Sequence, residues 1–228
     1  MMQIAHIYLF EADIHFSLKN FQKAKDALET FLSFHPSVFS VHRYRIDAMI
    51  AMGDIPQAQK IYKEKIDSSK EKEQLFYQQL YALTLPPQES IAFLEKLLKT
   101  KEDPSIKMAL TALWTKEGEY GKAILACNEI KDMPEVVEEK RLSWLGHALY
   151  LSGNVRESQK MYEEILKNSQ AKSYALSGLI NLELYNKNFP PALEHVKALI
   201  QDSKNGQERL NAEMLQARIY YEAGQFED

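Results

Sequence analysis

A small residue returns along the sequence at a nearly constant interval, and this period restricts the possible folds more than any other feature. The spacings between its successive occurrences are 34, 32, 33, 35 and 34 residues. Unrelated helices would not keep one phase for so long, so the period predicts an array of similar helical units. The small residues are Ala24, Ala58, Ser90, Ala123, Ser158 and Ala192.

One such unit is clearest between Trp144 and Leu166. Apolar residues at three-and-four spacing predict a helix before the turn, and the same spacing resumes after it. Gly153 favours the end of the first helix, because glycine accepts a left-handed backbone. Asn154, and Asp54 at the matching turn, are predicted to cap the next helix with a side-chain oxygen. Each unit is therefore predicted to be an antiparallel helix hairpin.

The same pattern divides the chain into about six and a half hairpins, which are predicted to form one domain over residues 1–228. Pro86 and Pro87 replace glycine at the third turn, where proline suits the first turn of a helix. Because the last hairpin stops after one helix, we expect the natural chain to continue beyond Asp228. The predicted repeats are 4–36, 38–69, 70–102, 104–133, 135–169, 171–204 and, in part, 206–228.

The fifth hairpin carries the residues that relate the chain to a known family. Leu145, Gly146, Gly153, Ser158 and Tyr162 occupy the leucine, glycine, small and aromatic slots of the tetratricopeptide repeat. The sequence resembles this family over essentially its whole length. The resemblance implies an all-α, right-handed solenoid of stacked hairpins, whose first helices line a concave groove. Larger residues in one small slot predict adjusted packing in other hairpins, namely Ile46, Gln78, Thr111 and Ile180.

Composition and charge argue against several classes of protein. A net charge of −4 gives no general attraction for the phosphate backbone, and no repeated pair of polar residues could read RNA bases. No apolar run approaches the roughly 20 residues of a membrane span. The single cysteine, Cys127, lies among apolar neighbours, which predicts a buried thiol in a reducing compartment. We therefore expect a cytoplasmic protein that binds no nucleic acid and spans no membrane.

The sequence contains none of the common catalytic or cofactor motifs. Its six histidines are scattered without metal-ligand spacing, and its glycines form neither a P-loop nor a dinucleotide-binding loop. A hairpin array also provides no sharp elbow to expose a nucleophile. We expect no enzymatic activity, no cofactor and no metal site.

The resemblance assigns certain positions of each first helix to the groove, and those of the last repeats have the chemistry of a binding site. Tyrosine and arginine often carry binding energy, and an asparagine can pair with a peptide group through its donor and acceptor together. The alternative is that these residues are ordinary solvated helix positions or contact a continuation of the chain. The predicted groove residues are His147, Tyr150, Tyr174, Ser177, Asn181, Tyr185, Arg218 and Tyr221.

These positions lead to a functional hypothesis. The chain is predicted to be a non-enzymatic scaffold that binds a peptide segment or a partner helix in the groove. Alternatively, it is a regulatory or assembly module attached to a catalytic, signalling or DNA-binding domain outside this segment. Some members of the family bind chaperone C-terminal carboxylates through a lysine and an asparagine. Leu9 and Asp13 stand at those slots in the first repeat, which argues against that ligand.

Overall fold

A computed structural model describes residues 2–131, 135–168, 172–203 and 206–225, and within these ranges all regular structure is helical. The helices follow one another with short turns and pack sequentially, as in an all-α solenoid. They are α1 Met2–Ser17, α2 Phe21–Phe34, α3 Phe39–Ala51, α4 Ile55–Ser68, α5 Glu71–Ala82, α6 Pro87–Thr100, α7 Pro104–Lys116, α8 Tyr120–Glu129, α9 Glu135–Leu151, α10 Val155–Asn168, α11 Lys172–Tyr185, α12 Phe189–Asp202 and α13 Gly206–Glu222.

The helices belong to two compact units, residues 1–102 and 103–228. In the first unit α1 pairs with α2, α3 with α4 and α5 with α6, while α2 also packs on α3 and α4 on α5. In the second unit the pairs are α7 with α8, α9 with α10 and α11 with α12. There α10 packs on α11, and α12 packs on α13. Within each unit, a first helix that follows another hairpin packs on the second helix of its own or of the preceding hairpin, as α3 does on α2 and α11 does on α10 and α12.

Six turns end the preceding helix in the same way. The second residue after each of these helices has a positive φ, and this backbone lets the amide that follows it bond a carbonyl group of the helix end, as in a Schellman motif. At Gly153, for example, φ is +87° and the next amide, of Asn154, donates to the carbonyl oxygen of Leu149 at 2.9 Å. The residues with this backbone are Lys19, Gly53, Gly118, Gly153, Lys187 and Gly224.

The small residues that define the sequence period lie at the helix contacts. Ala24, Ala58, Ala123, Ser158 and Ala192 have no exposed surface, and Ser90 is 2% exposed. Ser158 also donates a hydrogen bond from Oγ to the carbonyl oxygen of Gly146 at 2.6 Å. A larger side chain at any of these positions would force the paired helices apart. The period of the sequence therefore marks buried positions of the second helices.

The two predicted helix caps are wrong. Asp54 precedes α4, but its side chain accepts no hydrogen bond from the first amides of that helix. The side-chain amide of Asn154 donates to Ser152 Oγ at 3.0 Å, back toward α9, and makes no bond to a backbone amide of α10. The left-handed turn residue before Asp54 directs the chain into α4 differently from a usual cap. Asp54 has φ, ψ of −94°, 40°, which lies outside the extended region typical of a capping residue.

A buried polar network holds the second hairpin of the first unit. His42 Nε2 donates to the carbonyl oxygen of Pro36 at 2.9 Å, and its Nδ1 lies 3.1 Å from the hydroxyl of Tyr62. Because a carbonyl can only accept, Nε2 carries the proton and Nδ1 accepts from Tyr62. Arg45 Nη2 in turn donates to the Tyr62 oxygen at 2.9 Å, and its Nη1 lies 3.6 Å from Glu29 Oε1. Burial favours the neutral form of the His42 ring and lowers its pKa to about 4.

Within the described ranges, no helix is long and apolar enough to cross a membrane.

Candidate functional site

A cavity of about 360 Å³ lies in the second unit. The first helices α9, α11 and α13 contribute most of its lining. Its volume is at the lower end of the range found for ligand pockets, roughly 300–1,000 Å³. Five of the eight predicted groove residues line it. The lining residues are His147, Tyr150, Tyr162, Gly178, Asn181, Leu184, Tyr185, Arg218 and Glu222.

The phenol ring of Tyr162 forms part of the cavity wall and is otherwise enclosed, with 4% of its surface exposed. It lies against two helix backbones at glycine positions. A Cβ atom at Gly146 would come 2.9 Å from the ring, and one at Gly178 would come 2.3 Å from it. The two glycines therefore let α10 place an aromatic ring directly on α9 and α11. Burial raises the pKa of Tyr162 to about 12, so its hydroxyl keeps its proton at neutral pH.

Tyr150 and Tyr185 form an aromatic wall. Their ring centroids are 5.7 Å apart at an interplanar angle of 85°, an edge-to-face arrangement that aromatic pairs favour. Tyr150 is half-buried, whereas 68% of Tyr185 is exposed to solvent. The wall therefore offers a large apolar surface that a bound group could cover.

Three polar side chains, one from each first helix, complete the surface. The carboxamide of Asn181 makes no hydrogen bond to another residue that the structure describes, so its donors and acceptor are open to a ligand. Arg218 Nε donates to Glu222 Oε1 at 2.7 Å, one helical turn further along α13. Desolvation lowers the pKa of His147, which favours the uncharged imidazole. The charges at the cavity therefore compensate each other.

The remaining predicted groove residues lie outside the cavity lining. Tyr174 and Tyr221 are 58% and 71% exposed, and Ser177 is half-buried. Sequence reasoning missed four lining residues. Of these, Glu222 has a signal in the sequence, because it stands four residues after Arg218 and such pairs meet on a helix. The repeat pattern predicts Tyr162 only as a core residue. No signal in the sequence predicts that Gly178 or Leu184 lines a cavity.

A second concave surface, of about 600 Å³, lies along α1 in the first unit. It is mostly apolar, and Phe10 and Ile7 on it are 71% and 61% exposed. Ile14 there is 49% exposed, although the equivalent residues of later hairpins, such as Leu80 and Ile219, are fully buried against the hairpin before them. All of its lining residues belong to α1, so this surface lies along one helix and is not enclosed by several.

The structure also bears on metal binding by the residues that it describes. No three His, Cys, Asp or Glu side chains come together there in a way that could hold a metal ion. The one cysteine, Cys127, is fully buried, and burial raises the pKa of its thiol.

No protein-family model matches the sequence, and a comparison with curated proteins gives no match. Solved structures do match. A tetratricopeptide repeat protein from Parabacteroides merdae shares 15% identity at a TM-score of 0.58, with 93% of this chain and 84% of that chain covered. Yeast Tom70 shares 15% identity at a TM-score of 0.62, covering 90% and 45% of the two chains.

A third similar structure is the Rap conjugation gene regulator of the plasmid pLS20, solved in complex with the Phr* peptide. It shares 16% identity at a TM-score of 0.52, with 97% of this chain and 74% of that chain covered. Identities this low establish a common fold and nothing finer. The chain has the all-α solenoid fold of tetratricopeptide repeat proteins, which confirms the resemblance seen in its sequence.

Proposed function

We propose that this chain is a non-catalytic scaffold that binds a segment of another protein over α9, α11 and α13. The observation that carries the proposal is the cavity to which these three helices contribute His147, Asn181 and Arg218 side by side, next to Tyr150 and Tyr185. Exposed tyrosines and an open carboxamide suit a peptide, because they offer both apolar contact and hydrogen bonds to its backbone. The Rap regulator, which has a similar fold, was solved with a peptide, and this supports the same class of ligand.

The proposal is tested by selecting binders from a displayed library of random linear peptides. The affinities of the selected peptides are then measured for the wild-type chain, for a Tyr150→Ala/Tyr185→Ala double variant and for Arg218→Glu. We expect both variants to weaken binding, the double variant by at least about 30-fold, which is the scale of a lost hot spot. Circular dichroism checks that the variants keep their helices.

Arg209→Glu is the matched control for Arg218→Glu. Arg209 lies on the same helix, and its Nε donates to Glu213 four residues later at 2.9 Å, but it does not line the cavity. Both substitutions reverse one charge within one type of ion pair. The proposed function would be contradicted if the library yielded no binder. It would also be contradicted if the double variant and Arg218→Glu bound the selected peptides as tightly as wild type does.

A further inference from the structure

The charges around the cavity decide what kind of side chain can enter it. Arg218 and Glu222 are the charged residues among its lining, and the 2.7 Å hydrogen bond between them pairs their opposite charges. His147 also lines the cavity, and desolvation lowers the pKa of its imidazole, which favours the uncharged ring. A charged side chain entering the cavity would lose hydration without gaining an unpaired counter-ion, which is unfavourable. The lining therefore favours an uncharged group.

The shape and surface of the cavity point to one aromatic ring. A volume of about 360 Å³ is too small for a folded element but large enough for an aromatic side chain. Tyr150, Tyr162, Tyr185 and Leu184 supply apolar walls, and edge-to-face contact with exposed Tyr185 would add to the burial of a ring. Asn181 stands beside these walls, where its open carboxamide can pair with the peptide group that carries the ring.

We infer that the cavity is the pocket for one uncharged aromatic side chain of the bound segment, with Asn181 pairing with the adjacent peptide backbone. This inference rests on the proposed function and names the anchor that the site selects. It also gives Glu222 a role in specificity, because its carboxylate neutralises Arg218 and so excludes acidic anchors from the pocket.

The selected peptides provide the first test. We expect them to share an aromatic residue whose replacement by Lys or Glu weakens binding by at least about 30-fold, as for a hot-spot side chain. Its replacement by Ala should weaken binding to the wild-type chain much more than binding to Tyr185→Ala, because the two rings interact. Two results would overturn the inferred anchor. One is a set of selected peptides without a shared aromatic residue. The other is an aromatic residue whose replacement by Ala lowers the affinity equally for wild type and for Tyr185→Ala. If such peptides still lose affinity for the Tyr150→Ala/Tyr185→Ala variant, the proposed function survives that failure.

The second test asks whether a substitution at Glu222 lets the pocket accept an acidic side chain. Glu222→Gln leaves Arg218 without its counter-ion, so a peptide with Glu at the anchor position should bind this variant at least about threefold more tightly than wild type. Glu213→Gln is the matched control, since it frees Arg209 on the same helix away from the cavity. An equal response of the Glu-bearing peptide to both variants would mean that Glu222 does not set the charge preference of the pocket.

Discussion

The phenol ring of Tyr162 lies directly against the backbone of Gly178, so close that a Cβ atom at position 178 would be 2.3 Å from Tyr162 Cζ. The ring cannot easily move away, because it is 4% exposed between three helices. This contact sets the depth of the cavity and the spacing of α10 from α11. It also makes position 178 sensitive to the smallest possible enlargement.

Gly178→Ala should therefore destabilise the chain by about 1–3 kcal/mol through overpacking, even though alanine is the better helix former. Urea denaturation followed by circular dichroism measures the change. Gly121→Ala is the control, because a Cβ atom at that helical glycine would meet nothing within 4 Å. The control should be neutral or more stable by up to about 1 kcal/mol. Equal stability of Gly178→Ala and wild type would contradict the contact.

Lys187 lies in the turn after α11 and has a φ of +54°. This left-handed backbone costs an L-residue roughly 1–2 kcal/mol, whereas it costs glycine very little. We expect Lys187→Gly to raise the free energy of unfolding by about 1 kcal/mol, since four of the six equivalent turns already use glycine. Lys160→Gly, at an exposed position inside α10, should instead lower it by about 1 kcal/mol. A destabilised Lys187→Gly would show that the lysine side chain contributes more than its backbone strain costs.

The buried network around His42 should make stability depend on pH. Burial lowers the pKa of His42 from 6.5 to about 4, with Arg45 and Lys65 adding to the shift. The unfolded chain then binds a proton more readily than the folded chain, so stability falls as the pH drops from 6.5 toward 4. The loss attributable to this group is about 3 kcal/mol.

Comparison of wild type with His42→Gln isolates this contribution, because other groups titrate equally in both. The variant should show a flatter dependence of unfolding free energy on pH over that window. A direct NMR titration of the His42 ring provides the second measurement. A midpoint near 6.5 would refute the lowered pKa of His42.

Cys127 has no exposed surface, and burial raises the pKa of its thiol. Only the thiolate reacts with alkylating reagents, so the folded chain should react with iodoacetamide at least about tenfold more slowly than the chain in urea. Mass spectrometry of quenched samples measures the rates. Comparable rates in the two states would mean that α8 opens readily under native conditions.

Much of the fold could be predicted from the sequence, because its signals are local. The spacing of apolar residues, the small residue of each second helix and the turn glycines such as Gly153 act within one hairpin, and they are repeated along the chain. The predicted caps at Asp54 and Asn154 failed for a local reason too, since the backbone at the turn directs the chain differently. The register of the helices followed from the period itself.

The candidate site depended on relations between helices that no local pattern contains. The sequence alone determined which residues belong to first helices, and hence that His147, Asn181 and Arg218 stand at related positions of successive repeats. Only the tertiary structure decided that the ring of Tyr162 rests on Gly178 and forms a wall of the cavity, and that Tyr174 and Tyr221 lie outside it. The physical reason is that a period fixes the order and facing of helices, whereas the shape of the space between them depends on how side chains distant in sequence pack together.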